Sequence, residues 1–158
     1  MLGKGIASLV DFILGLWQNK VFTTAFVAWL LAQTLKVFTS YKPGKGLDWE
    51  RLLGAGGMPS SHSAFVTALA LAVGRQEGWS SALFGATLAF ALVVMYDAAG
   101  VRQAAGKQAQ VLNRILRDLY LKKGMREQLL KELIGHTPIE VFAGAFIGVI
   151  VALLFYAR

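Results

Sequence analysis

The sequence predicts an all-α integral membrane protein, a bundle of about four transmembrane helices in a single membrane domain over residues 1–158. Of the 158 residues, 56% are hydrophobic and only 16% are charged, whereas an ordinary soluble domain carries about 25% charged residues. The mean hydropathy is +0.54. The apolar residues also form runs close to the length that crosses a hydrocarbon core of about 30 Å. These observations exclude an ordinary soluble domain.

The net charge of +7 narrows the choice of partners. In a soluble protein such an excess suggests nucleic acid, but here the basic residues gather in the loops between apolar segments. We therefore expect anionic membrane lipids as partners, and no nucleic acid. The chain has no cysteine, which excludes a disulfide framework, a thiolate nucleophile and a zinc–thiolate site.

The N-terminal segment, residues 6–17, places apolar side chains at helical i, i+3, i+4 spacing, interrupted by Asp11. This stripe is too short to cross a bilayer, so it predicts an interfacial or partly inserted helix. A cleaved signal peptide is the alternative. Asp11 and the lack of a clear small-x-small cleavage site disfavour that alternative.

Four apolar segments are predicted to be transmembrane helices: residues 21–38, 60–77, 80–99 and 138–156. The first carries Gln33 and, near its end, Lys36, whose default role is to extend its ammonium group to the interface. Small residues at four-residue spacing favour close helix packing in lipid. They are Ala64, Ala68, Ala72, Gly85, Ala89, Gly144 and Gly148.

Two polar regions set the predicted orientation. Region 100–135 predicts two basic amphipathic helices, with apolar stripes at residues 111–119 and 129–134. This region and the loop 39–57, with the flanking Lys36, hold 12 of the 16 Lys and Arg residues, so the positive-inside rule predicts that both are cytoplasmic. Polar residues then share one depth at the cytoplasmic helix ends, and such groups are usually functional. They are Lys36, Ser60, Ser61, His62, Asp97, Arg102, His136 and Glu140.

The stretch Gly-Gly-Met-Pro-Ser-Ser-His-Ser, residues 56–63, lies where a polar loop meets an apolar segment. Ser60 and Ser61 offer hydroxyls and capping oxygens, Pro59 suits a helix entry, and His62 belongs to the residue type that titrates near neutral pH. A helix start attracts phosphate through its N–H groups and dipole. The stretch predicts either an anion-binding reaction site or a plain serine cap beside a histidine.

A second helix start follows at residues 135–140. Thr137 and Glu140 fit a capping box with Pro138 at the first helical position, which accounts for all three residues but not for His136. A histidine four residues before a carboxylate is suited to act as an oriented nucleophile or base. Because His62 is predicted at the same membrane depth, we favour this chemical interpretation of His136.

Three blocks of sequence, residues 56–64, 95–113 and 135–141, resemble the signatures of the divergent branch of the type 2 phosphatidic acid phosphatases. This branch is also called the acid phosphatase/vanadium-dependent haloperoxidase-related family, and the resemblance covers about residues 20–156. It implies metal-free hydrolysis through a phosphohistidine. His136 would be the nucleophile, Glu140 its orienting carboxylate and His62 the general acid.

The resemblance also implies a phosphate-binding set. Ser60 and Ser61 would hold phosphoryl oxygens with nearby backbone N–H groups, and Lys36 with Lys42 would form the cationic clamp. Where the wider family has a further arginine, Leu129, Leu130 and Lys131 stand instead. Arg102 is then the best substitute and Arg126 the next.

Asp97 has no counterpart in the wider family's motifs. Its aspartate carboxylate is expected to form a structural ion pair with Arg102 or Lys36, or alternatively to join Glu140 in holding Mg²⁺. Otherwise no cofactor is expected.

The function that these residues predict is a membrane lipid phosphatase with its active site facing the cytoplasm. The expected substrates are a phosphatidate or phosphatidylglycerophosphate type of phosphomonoester, or an isoprenyl diphosphate. The alternative is a non-catalytic lipid-binding or transport protein that keeps the fold, although four spans are few for a transporter unless it is a homo-oligomer.

Overall fold

The computed structural model describes residues 2–41, 44, 46, 57–123 and 136–155. Within these residues the regular structure is six helices and no strand, which confirms the predicted all-α class. The helices are α1 (Leu2–Gln18), α2 (Lys20–Thr39), α3 (Ser61–Glu77), α4 (Ala82–Ala99), α5 (Val101–Lys123) and α6 (Pro138–Phe155).

Three helices, α2, α4 and α6, are long and apolar enough to cross a membrane, with mean hydropathies of 1.5, 1.8 and 2.3. Helix α3, the remaining segment predicted to span, falls outside that set because it has only 17 residues and a less apolar composition. Its composition follows from its position, since α3 packs against α2, α4 and α6. A helix surrounded by protein is built from small residues that let neighbouring backbones approach.

The core around α3 consists mainly of alanine. Ala64 and Ala68 pack with Ala28 and Ala32 of α2 and with Val151 of α6. On the other side of α3, Val66 and Ala70 pack against Ala91 of α4. The predicted close packing is therefore present at Ala64 and Ala68, whereas the predicted Gly85 and Ala89 are exposed on α4. A Cβ atom on Gly148 would lie 2.6 Å from the carbonyl oxygen of Ala64, so α6 crosses α3 at backbone contact.

The helices around α3 do not form a closed ring. Helix α6 packs against both α2 and α4, whereas no Cα atom of α2 lies within 8 Å of a Cα atom of α4. A gap therefore remains between α2 and α4, and α3 forms its floor.

Helix ends are closed by the capping residues that the chain supplies. Asn19 caps α2 by accepting hydrogen bonds from the backbone N–H groups of Val21 at 3.0 Å and Phe22 at 3.1 Å. Ser81 caps α4 by accepting from the Phe84 N–H at 3.1 Å. Gly78 occupies the turn between α3 and α4 with φ of +91°, a conformation that glycine adopts without steric cost. These caps satisfy N–H groups that a helix leaves unpaired.

The two outer helices have fewer contacts. Helix α1 packs on α2, where Trp17 meets Phe26 edge to face at 5.4 Å between ring centroids. Helix α5 packs on α4 and contains the first of the two predicted amphipathic stripes in one continuous helix. The second stripe, residues 129–134, lies outside the described residues.

Candidate active site

The start of α3 is closed by Ser60. Its Oγ accepts a hydrogen bond from the Ser63 N–H at 3.3 Å and another from the Ser63 hydroxyl at 3.0 Å. Ser60 is fully buried. The helix begins at Ser61, so Pro59 precedes the cap and does not occupy the first helical position. Ser60 therefore serves as the N-cap, and its side-chain oxygen accepts hydrogen bonds from the first turn of α3.

The start of α6 forms the predicted capping box. The Thr137 N–H donates to Oε2 of Glu140 at 3.1 Å, and the Glu140 N–H donates to Oγ1 of Thr137 at 3.4 Å. Pro138 is the first helical residue. Oε2 of Glu140 also lies 3.0 Å from Nδ1 of His136. One carboxylate oxygen therefore caps the helix and orients the histidine that precedes it.

The N-terminal ends of α3 and α6 are in contact. The Ser60 N–H donates to the carbonyl oxygen of Glu140 at 2.9 Å, which joins the cap of α3 to the first turn of α6. This contact brings the ring centroids of His62 and His136 to 6.4 Å, with an angle of 60° between the ring planes. Nε2 of His136 and Nδ1 of His62 are both buried. The chain thus brings its two histidines to one end of the bundle.

Lys36 reaches the same end from α2. Its side chain is 1% exposed, and Nζ donates to Oε1 of Gln33 at 2.6 Å and to Oγ of Ser61 at 3.0 Å. The expectation that this lysine extends to the interface is therefore wrong, because polar partners inside the bundle satisfy the ammonium group. Gln33 is not among the predicted site residues. Its i, i+3 spacing to Lys36 is the signal that links the two.

His62 also faces the gap between α2 and α4. This gap is a groove of about 670 Å³ whose wall includes His62 from α3 and Asp97 from α4. Asp97 is thus placed at the groove, near the His62 end of the bundle. Among the described residues, no three or more His, Asp or Glu side chains are grouped as a metal site would require. The shared magnesium site on Asp97 and Glu140 stays a prediction, because Mg²⁺ is usually bound by one or two carboxylates together with water.

The rest of the predicted phosphate clamp is not described. Lys42 and Arg126 lie outside the described residues. For Arg102 only the backbone, in the first turn of α5, is described. The described cation of the site is therefore Lys36, which contacts the first residue of α3.

Comparison with known proteins agrees with the three motifs. Residues 17–151 match the Divergent PAP2 family. The chain is also 39% identical over 150 residues to the uncharacterized membrane protein YuiD of Bacillus subtilis (strain 168), an alignment that covers 88% of this chain and 95% of that protein. No solved structure matches the chain significantly. With most of its length matched, this integral membrane protein belongs to the Divergent PAP2 family.

Proposed function

We propose that this chain is a membrane lipid phosphatase that hydrolyses a phosphate ester through a phosphohistidine on His136. The observation that carries the proposal is the contact between the N-terminal ends of α3 and α6, where the ring centroids of His62 and His136 are 6.4 Å apart. Two imidazoles at this separation suit one phosphoryl group between them. One ring attacks phosphorus while the other serves the leaving oxygen.

The reaction has two steps. In the first, Nε2 of His136 attacks phosphorus, the bond from phosphorus to the alcohol oxygen breaks, and protonated His62 gives its proton to that oxygen. In the second, water attacks the phosphohistidine while His62 takes a proton from the water. Inorganic phosphate leaves, His136 is regenerated, and His62 is protonated for the next cycle.

Glu140 prepares His136 for this role. Because Oε2 lies 3.0 Å from Nδ1, the carboxylate accepts a hydrogen bond from the Nδ1–H tautomer. That tautomer leaves the Nε2 lone pair to act as the nucleophile. As the bond to phosphorus forms, positive charge develops on the ring, and the carboxylate stabilises it in a site that is already organised.

Lys36 and the start of α3 supply positive charge that stabilises the phosphoryl group. Lys36 Nζ lies 3.0 Å from Oγ of Ser61, the first residue of a helix whose N-terminal dipole favours an anion. A phosphoryl group at this mouth is stabilised by a buried cation and by backbone N–H groups. Lys42 and Arg102 complete the clamp in this proposal.

The proposed site faces the cytoplasm, because the regions 39–57 and 100–135, which follow α2 and α4 in the sequence, carry most of the basic residues. The same residues attract anionic lipid headgroups. The proposed substrate is a phosphatidate or phosphatidylglycerophosphate type of phosphomonoester, or an isoprenyl diphosphate, with its hydrocarbon in the bilayer. The reaction scheme above requires no metal ion.

A non-catalytic lipid-binding or transport protein is the competing function. The engagement of Lys36 with both Gln33 and Ser61 favours it, because a cation with polar partners already supplied can serve packing alone. The two functions differ in whether the bound phosphate ester is cleaved.

The test is phosphate release by purified protein from a panel of lipid phosphates, with and without Mg²⁺. We expect release by the wild type in the presence of a chelator, and loss of release in His136→Ala and His62→Ala. Glu77→Gln, a change at the opposite end of α3, serves as the control and keeps full activity. Absence of release by the wild type from every substrate rejects the phosphatase.

A further inference from the structure

The groove between α2 and α4 extends from the histidine site along the side of the bundle. Aromatic rings line most of its length: Phe26 and Trp29 on α2, Phe65 on α3 and Phe90 on α4. On α4 its wall runs from Phe90 to Asp97, which is about 10 Å at 1.5 Å per residue. The wall is thus apolar along the bundle and polar only at the end that holds His62 and Asp97.

The groove is open on its outer side. The backbones of α2 and α4 are more than 8 Å apart between Cα atoms. At its rim, Phe90 is 54% exposed and Val93 is 67% exposed. Because α4 is a membrane-spanning helix by length and composition, this rim borders the hydrocarbon of the bilayer. A lipid chain therefore has a lateral route into the groove.

His62 connects the groove to the phosphate site. It lines the wall of the groove, and its ring also faces His136. A phosphate ester held between the two histidines has its alcohol oxygen beside His62. The carbon chain attached to that oxygen then begins at the polar end of the groove.

We propose that the groove holds the hydrocarbon chain of the phosphate ester, in the part of the chain nearest the phosphate. This inference rests on the proposed function, which it deepens by assigning the chain its own binding site. Hydrocarbon gains nothing by moving from lipid into an equally apolar groove, so the groove acts through shape and aromatic contact. Its effect is to align the ester oxygen with His62.

The polar end of the groove favours the chain of a phosphate ester over a helix from a partner protein. A helix along the groove would cover His62 and Asp97 with apolar surface, which is unfavourable for polar groups. A hydrocarbon chain attached to a phosphate leaves that end to the phosphate.

The binding test uses the full-length protein in phosphatidylcholine vesicles and a long-chain alkyl phosphonate with a diazirine on the chain near the phosphonate. The C–P bond resists hydrolysis, so labelling reports binding whether or not the protein is a phosphatase. We expect labels on groove residues of α3 and α4. Unlabelled alkyl phosphonate competes for these positions, and the alcohol of the same chain length does not.

The matched variants are Val93→Trp and Leu92→Trp. Both residues are exposed on α4, but only Val93 lines the groove. We expect Val93→Trp to lower labelling about tenfold or more by filling the groove, and Leu92→Trp to leave it unchanged. For hydrolysis, Val93→Trp lowers kcat/KM for a long-chain phosphate ester by a similar factor and leaves that for a short water-soluble phosphomonoester unchanged.

The outcomes separate the two proposals. Labelling spread over lipid-facing positions such as Leu154, or unchanged in Val93→Trp, rejects the chain site even when hydrolysis is observed. Cross-links between two copies of the chain at the groove also reject it in favour of a dimer interface. Competed labelling in the groove by a protein that releases no phosphate supports the chain site and rejects the phosphatase.

Discussion

The carbonyl oxygen of Ser60 lies where a side chain on Gly144 would begin: a Cβ atom there would be 2.1 Å from it. The backbone N–H of the same serine donates to the carbonyl oxygen of Glu140, one turn earlier on α6. The backbone of Ser60, the cap of α3, therefore contacts α6 at both Gly144 and Glu140. The separation of His62 and His136 depends on this contact, because each histidine lies within two residues of a helix start.

Gly144→Ala is the first test of that dependence. The added methyl group overlaps backbone atoms that cannot rotate away, so α3 and α6 must separate. We expect a loss of stability of about 1–3 kcal/mol, the usual effect of overpacking, and a loss of phosphate release at temperatures where the variant stays folded. Thermal unfolding in detergent and the phosphate-release assay measure the two effects.

Gly85→Ala is the matched control, because no atom lies within 4 Å of a Cβ at this position of α4. We expect unchanged activity and a gain of up to about 1 kcal/mol from the better helix propensity of alanine. Equal behaviour of the two alanine variants contradicts the idea that the contact with Ser60 sets the geometry of the site.

Lys36→Met tests the buried cation for both stability and activity. The change removes the donor to Oε1 of Gln33 and Oγ of Ser61, and a buried polar group that loses its partner costs about 1–3 kcal/mol. The proposed mechanism loses one group that stabilises transferred charge, an effect of about 10²–10³ in kcat for comparable donors. We therefore expect an unfolding temperature below that of the wild type, with phosphate release reduced by this factor at temperatures where the variant is folded.

Lys20→Met is the control for Lys36→Met, since Lys20 is exposed at the other end of α2. It is expected to change neither measurement. Full activity in a folded Lys36→Met variant assigns this lysine to packing alone and supports the non-catalytic function.

The membrane helices were predictable because lipid requires every backbone polar group to be satisfied within a helix, which makes long apolar runs diagnostic. Segment 21–38 corresponds to α2, and segment 138–156 to α6. The central position of α3 was not predictable from its composition. Its alanines suit both an exposed and a surrounded helix, and only the contacts with three neighbours decide between them.

In the site, too, some contacts could be predicted from the sequence and others could not. The pairing of His136 with Glu140 was predictable, because four-residue spacing at a capping box fixes their proximity. The contact between Lys36 and Ser61 joins residues 25 positions apart, on helices whose register depends on tertiary packing. A rule for isolated lysines at helix ends predicted the wrong position for Lys36, since it takes no account of buried partners such as Gln33.

His62→Ala tests general acid catalysis through the leaving group. A proton donor matters most when the departing oxygen is strongly basic, as in an alkyl ester, and least when it leaves readily, as in p-nitrophenyl phosphate. We expect kcat/KM, which reports the steps up to formation of the phosphohistidine and excludes the later attack by water, to fall by about 10²–10⁴ for the alkyl ester and far less for the nitrophenyl ester. An equal loss for both substrates contradicts the proton-donor role and assigns His62 to binding.

Glu140→Gln and Thr137→Ala separate the two roles of the α6 start. Glutamine at this position retains the capping box, so Glu140→Gln is expected to keep the unfolding temperature. It removes the negative charge that stabilises the imidazole during attack, so kcat falls by about 10² or more, as for loss of one preorganised electrostatic partner. Thr137→Ala removes the cap hydrogen bond and leaves the contact between Glu140 and His136 available.

For Thr137→Ala we expect the opposite pattern, a loss of stability of about 1 kcal/mol with phosphate release retained at temperatures where the protein is folded. Unfolding curves and initial rates for both variants, measured in the same detergent, give the comparison. If Glu140→Gln lowers stability and leaves kcat unchanged, the carboxylate is a helix cap only, and the orientation of His136 does not depend on its charge.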